Sequence, residues 1–233
     1  KTFTNPFQNN ISDTLLQALS NSFRNSIFFN RSNPKFGIEY TFQEFNSKTL
    51  LLSGFDSRKK LTKEWKIRWN INKAMSLTAN TENGIKYNYS DYAPTRNYEL
   101  KMEKYIAKIA YQPNTKFRLS LNGFYTYKEN AISFGGEKVY LTNLGLELRY
   151  NQPKKGSFTG NINYIYINYI GENNSSVAFE MLEALQPGNN STWTISYQRT
   201  LANNLQLTLN YNGRKSFETP VIHAGGVQIR AFF

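Results

Sequence analysis

The last nine residues, Gly225 to Phe233, read GGVQIRAFF. Val227, Ile229, Ala231 and Phe233 take turns with Gln228, Arg230 and Phe232. That period of two is a strand with one apolar face and one mostly polar face. The sequence stops on an aromatic residue, where a soluble sheet would seldom leave an amphipathic strand. A strand of this kind must find neighbours with the same pattern, so its meaning depends on the rest of the chain.

Most of the chain repeats the pattern. Phe36, Ile38, Tyr40 and Phe42 alternate with Gly37, Glu39, Thr41 and Gln43, and Trp65, Ile67, Trp69 and Ile71 with Lys66, Arg68 and Asn70. Phe117 to Tyr127, Leu144 to Tyr150, Phe158 to Tyr166, Trp193 to Tyr197 and Leu205 to Tyr211 behave likewise. Tyr98, Leu100 and Met102 are in one phase, but Tyr105, Ala107, Ile109 and Tyr111 are in the other, which predicts a bulge near Glu103 and Lys104. Counted this way there are about 12 strands. The connections FNSK, NINK, QPNT, QPKK and LANN are short, and those between them are longer: 56–63, 84–96, 128–137, 171–190 and 213–223. Within 171–190, Val177 to Leu185 reads as a strand extension or a helical turn. Residues 1–21 form a lead-in, a short helix around Leu15, Leu16 and Leu19 or a linker, and residues 22–233 form one domain. The sequence starts at Lys1 with neither Met nor signal peptide, as expected of a mature protein or a piece of a longer one.

Composition narrows the class. Only 39% of residues are hydrophobic, yet 15% are aromatic. No run approaches the roughly 18 apolar residues of a membrane helix. A transmembrane β-barrel passes this test, because alternation hides its lipid-facing residues among polar ones. The formal charge is +12. Its Lys and Arg are spread along alternating strands, with no single patch or motif for nucleic acid, so no nucleic acid partner is expected. The chain has no Cys, which fits an oxidising compartment.

The fold expected is therefore all-β: a transmembrane antiparallel up-and-down β-barrel with short periplasmic turns and longer extracellular loops. An even strand count puts both ends in the periplasm and pairs the closing strand with the first, around Phe23 to Asn30. A soluble β-sandwich or clam-like barrel is the alternative, disfavoured by the number of bulky one-faced strands. The ending GGVQIRAFF resembles the C-terminal signal by which the barrel-assembly machinery recognises outer-membrane proteins. AFEMLEALQPGNNSTW, LQLTLNYNGRKS and IHAGGVQIRAFF together resemble the C-terminus of large surface-facing barrel proteins of the Bacteroidota. The resemblance implies a bacterial outer-membrane location and a missing upstream part, and it attaches no activity.

If the bulky residues face lipid, the lumen is lined by Glu39, Lys66, Arg68, Glu82, Lys108, Arg118, Glu147, Arg149, Gln198, Gln206 and Arg230. These residues either satisfy one another in a plugged interior or line a narrow pore that favours small anionic solutes. Val227, Ile229, Ala231 and Phe233 are the lipid-facing assembly signal, with Phe233 in a periplasmic aromatic belt beside Tyr111 and Tyr150. No catalytic residue is expected: His223 is the sole histidine, and Ser216 and Glu218 nearby do not make a triad. No metal site or cofactor is expected either, since Glu180 and Glu183 stand alone. Arg214 and Lys215 are candidates for lipopolysaccharide phosphates. The expected role is a non-enzymatic membrane anchor or component of a larger envelope or secretion assembly. A narrow channel is the alternative, and an outer-membrane enzyme the remote one. Expected partners are outer-membrane lipid and lipopolysaccharide, the barrel-assembly machinery and other envelope proteins.

Overall fold

The computed structural model describes residues 18–183, 185–202 and 204–231. Eleven strands form one antiparallel sheet in which every strand is next to its sequence neighbours. They are β1 (Ala18–Phe29), β2 (Phe36–Leu51), β3 (Gly54–Asn70), β4 (Met75–Ser90), β5 (Tyr98–Tyr111), β6 (Phe117–Asn130), β7 (Lys138–Gln152), β8 (Gly156–Ile170), β9 (Gly188–Ala202), β10 (Leu205–Lys215) and β11 (Ile222–Ala231). One helix, α1 (Ser176–Leu182), interrupts the β8–β9 connection.

The count of 11 corrects the expected 12, and the error has one source. FNSK is not a turn, and 56–63 is not a loop. Both run through the interior of long strands, β2 and β3, which pair from Phe36↔Trp69 to Leu51↔Gly54 without a break. The chain reverses at Leu52-Ser53 instead. Gly54 enables that turn: its φ is +137°, a backbone that L side chains seldom adopt. A Cβ there would also lie 2.7 Å from the Cβ of Asp91. The Asp91 carboxylate accepts from the Phe55 N–H at 2.9 Å and closes the corner.

The bulge expected near Glu103 and Lys104 is absent. Strand β5 pairs with β4 and β6 in unbroken register through that point. The change of apolar phase is real, but it reflects a change in what covers each face. The longer connections are trimmed as well, to 91–97, 131–137, 171–187 and 216–221, because the flanking strands run further than alternation suggested. Val177 to Leu182 is helical. Leu19 lies in β1, while Leu15, Leu16 and Phe233 lie outside the described residues.

The odd count also changes the ends. Strand β1 starts at the end of the sheet that carries the longer connections, and β11 finishes at the end that carries the short turns. The expected pairing of the closing strand with the first is not present among the described residues. Strand β1 pairs with β2, and β11 with β10, Val227 lying opposite Leu209. Among the described residues no helix is long and apolar enough to cross a membrane, which says nothing about crossing by strands.

Candidate functional site

The register divides every side chain of the sheet between two faces. On one face Ile109, Leu121, Leu146 and Ile162 lie opposite one another across β5 to β8. These four are 42% to 58% exposed. Ile67, Trp69, Leu209, Val227 and Ile229 share that face. Apart from Arg199, near the β9–β10 turn, the face carries no Lys, Arg, Asp or Glu between an aromatic row at Trp65, Tyr105, Tyr125 and Tyr166 and another at Trp69, Tyr111, Tyr150 and Tyr197. Tyr105 and Tyr111 are six residues apart on one strand, which at the rise of an antiparallel strand is about 20 Å. We call this the belt.

The opposite face holds Lys108, Asn122, Gly145 and Asn163 in the corresponding row. Small residues on it are buried even where α1 does not reach: Ser120 is 0% and Ala110 6% exposed. Crowding of small side chains on one face and exposure of large ones on the other show that the sheet curls around the first, as large twisted sheets do. The eleven residues Glu39, Lys66, Arg68, Glu82, Lys108, Arg118, Glu147, Arg149, Gln198, Gln206 and Arg230 all fall on this concave face. Some of them neutralise one another. Glu147 Oε2 accepts from Lys108 Nζ at 3.2 Å, and Glu147 Oε1 from Arg149 at 3.1 Å. Others do not, and cations outnumber carboxylates here.

Beyond the belt, toward the longer connections, the two faces exchange character. Lys63, Lys101, Glu103, Glu129 and Lys138 now occupy the outer face, with Lys138 and Glu129 paired at 3.0 Å. The concave face becomes apolar: Tyr98, Leu100, Val139, Leu141, Ile165 and Ile167 are buried under α1. The helix contributes Val177, Ala178, Met181 and Leu182, none more than 5% exposed. A seven-residue helix is too short to persist alone, so packing and capping hold it. Ser175 caps its first turn by accepting from Ala178 N at 3.0 Å. Ser176 Oγ donates to Thr95 O at 2.8 Å, which ties α1 to the 91–97 connection.

Two lysines fasten α1 to the sheet. Lys86 Nζ on β4 donates to Glu180 Oε1 at 2.6 Å. Lys128 on β6, only 6% exposed, donates to Glu183 Oε1 at 2.8 Å and to the Met181 carbonyl at 3.1 Å. The second bond satisfies a carbonyl at the helix C-terminus, where a cation is favoured. Burial, the largest single influence, would lower the pKa of Lys86, but the hydrogen bond and charge of Glu180 together with Tyr98 outweigh it, and the group lies above its ordinary value. Between α1 and β3 to β6 remains a cavity of about 170 Å³, lined by Lys60, Lys86 and Lys128 with Glu180 and Glu183. Its lysines and carboxylates are thus largely paired. Reading the sequence missed Lys60, Lys86 and Lys128, because their partners lie far along the chain and no local pattern marks them.

A second, larger cavity opens at the other end of the concave face. It holds about 820 Å³ between the 30–35, 71–74 and 112–116 turns. His223 belongs to neither cavity. It lies on the belt side of β11, stacked on Tyr211, whose hydroxyl is 2.8 Å from its Nδ1. Trp193 lies beside it across Gly213, where any Cβ would collide with the indole. Arg214 and Lys215 end β10 instead of standing in a loop.

No family model matches the chain, and no curated protein matches its sequence. Among solved structures it is similar to the ferric preacinetobactin receptor of Acinetobacter baumannii, with TM-score 0.49, 10% identity and 91% of this chain covered. It is also similar to the monoaromatic hydrocarbon channel CymD, with TM-score 0.43, 8% identity and 90% of this chain covered. The alignment spans 44% of the receptor chain and 78% of the channel chain.

Proposed function

We propose that the sheet is the wall of a bacterial outer-membrane β-barrel that acts, without enzymatic chemistry, as a membrane-embedded anchor or component of a larger cell-envelope assembly. The belt carries this reading. Large apolar side chains rarely cover so wide a surface in a soluble monomer, and here aromatic rows border them on both sides as at the two edges of a bilayer. Strands of 14 to 17 residues, such as β5 and β3, exceed the roughly 9–11 needed to cross. The surplus forms the section beyond the belt, where the outer face is charged as water requires. The short turns are then periplasmic and the longer connections extracellular. Assembly by the barrel-assembly machinery and contact with lipopolysaccharide belong to the same proposal.

Helix α1 favours an anchor over an open pore, because it fills the concave face at the outer end. A narrow channel for small anionic solutes is the second reading, favoured by Lys104, Lys108, Arg118 and Arg149 on that face below the helix. Fractionation of expressing cells tests the main reading. A heat-modifiable, protease-resistant species is expected in outer membranes, and recovery of the protein in the soluble fraction without detergent would overturn it. Single-channel conductance that rises when residues 176–182 are replaced by a Gly-Ser linker would favour the channel.

A further inference from the structure

The two ends of the sheet carry opposite charge. The connections 30–35, 71–74, 112–116, 153–155 and 203–204 contain Arg31, Lys35, Lys73, Lys116, Lys154 and Lys155, and no Asp or Glu. The connections at the other end contain Asp91, Glu137, Glu172, Glu180, Glu183 and Glu218, and a single cation, Arg96. The larger cavity lies at the cationic end. Lys35, Lys73 and Arg118 line it, and no carboxylate does.

One carboxylate, Glu147, reaches Arg118 through its charge, without a direct ion pair. Among the described residues none of the three cations forms an ion pair. Arg118 lies opposite Arg149 across the strand pair, and Glu147, the carboxylate of that region, is held by Arg149 and Lys108. The Arg118 Nε is buried and has no hydrogen-bond partner among the described residues. Two amides of the lining turns already have their oxygens engaged. Asn72 Oδ1 already accepts from Ala74 N and Met75 N, and Asn114 Oδ1 from Lys116 N and Phe117 N, all at 2.8 to 2.9 Å. Their NH₂ groups have no partner among the described residues, while Asn70, whose NH₂ group donates to the Pro34 carbonyl, and Gln112 bring amide oxygens to the same lining. The smaller cavity under α1 shows the contrast, since there lysines meet glutamates.

We propose that the cavity at the short-turn end is a binding site for a phosphate-bearing anion, held by Arg118, Lys35 and Lys73. A phosphate group presents three acceptor oxygens and close to two negative charges, which matches several cations and a surplus of N–H donors better than a single carboxylate does. The proposal needs only these side chains and stands apart from the membrane reading.

Calorimetric titration of the full chain in neutral detergent micelles at low salt tests it, with inorganic phosphate and pyrophosphate as probes. Saturable binding is expected, tighter for pyrophosphate. Arg118→Gln and the pair Lys35→Gln/Lys73→Gln should each weaken it about tenfold or more, the usual effect of losing hydrogen bonds to a charged group. Lys86→Gln, at the opposite end, should leave it unchanged. The Lys35/Lys73 pair lies in turns, so it keeps the test valid if Arg118→Gln misfolds. Doping the micelles with phosphatidylglycerol separates the sources: displacement of pyrophosphate assigns the site to a lipid headgroup, and no displacement assigns it to a free anion. Absence of saturable binding by the unaltered chain, or binding that both variants leave intact, overturns the proposal.

Discussion

The belt and the section beyond it are made of the same strands, yet their hydrophobic logic is reversed. Along β7, Leu144, Leu146 and Leu148 point out of the curl, whereas Val139 and Leu141, a few residues away, point into it and are buried. No bulge separates the two stretches. The switch follows the solvent on each side. Where the concave side meets a helix and the outer side meets water, the apolar residues move inward. Where the outer side meets the proposed bilayer, they move outward. A strand can therefore change apolar phase with an intact ladder, provided its environment changes at the same level.

The largest expected effect attacks the outer section alone. Met181→Ala removes a fully buried side chain and should destabilise the docking of α1 by about 2–5 kcal/mol. The measurement is proteolytic nicking within 171–187, which should appear while the belt strands stay protected. If the belt strands lose protection equally, the two sections fold as one unit and the comparison fails.

Next comes the belt itself. Leu121→Arg should cost roughly 2–4 kcal/mol in guanidinium titrations of protein in lipid vesicles. Asn122→Arg, one residue on and facing the concave side, should cost far less. Equal effects would mean that no lipid belt exists. A milder probe is the helix cap: Ser175→Ala should loosen α1 by about 1 kcal/mol, read by the same nicking assay.

The smallest effect is a pH dependence. Lys86 has a raised folded pKa, so its contribution is complete below the ordinary lysine value and fades as pH rises through the raised one. Nicking in 171–187 should stay level from neutral pH to about pH 9 on this account and increase only in stronger alkali. Cysteines placed in 91–97, 131–137 and 171–187 should label from outside intact cells, while those in 112–116 and 153–155 should not. The reverse pattern would invert the assignment of the two ends.

This contrast also explains what the sequence revealed. Belt strands were legible because a strand whose two sides meet different surroundings, here the proposed bilayer and the concave interior, shows strict alternation, as in Trp65, Ile67 and Trp69. The outer section was illegible for the opposite reason. In DSRKKLTK both faces of β3 tolerate charge, so a strand reads as a polar loop. On β5 the apolar face turns toward a helix about eighty residues further along the chain, and nothing local announces it. The eleven residues assigned to one face emerged from alternation alone, whereas the lysines that hold α1 depend on the tertiary fold.

The odd number of strands among the described residues sets a condition on any closed cylinder built from this sheet. Strands β1 and β11 run in the same direction, so joining them directly would make a parallel seam in an otherwise antiparallel wall. Two identical sheets placed side by side about a common axis would repeat that mismatch at both seams. Only an odd number of intervening strands restores antiparallel pairing all the way round. In a bilayer the matter is pressing, because each unpaired backbone group at an open edge costs several kcal/mol. Cysteine pairs across β1 and β11, such as Ile27→Cys with Val227→Cys, should then fail to cross-link. A wall closed around the eleven described strands needs an odd number of further strands with the same apolar belt.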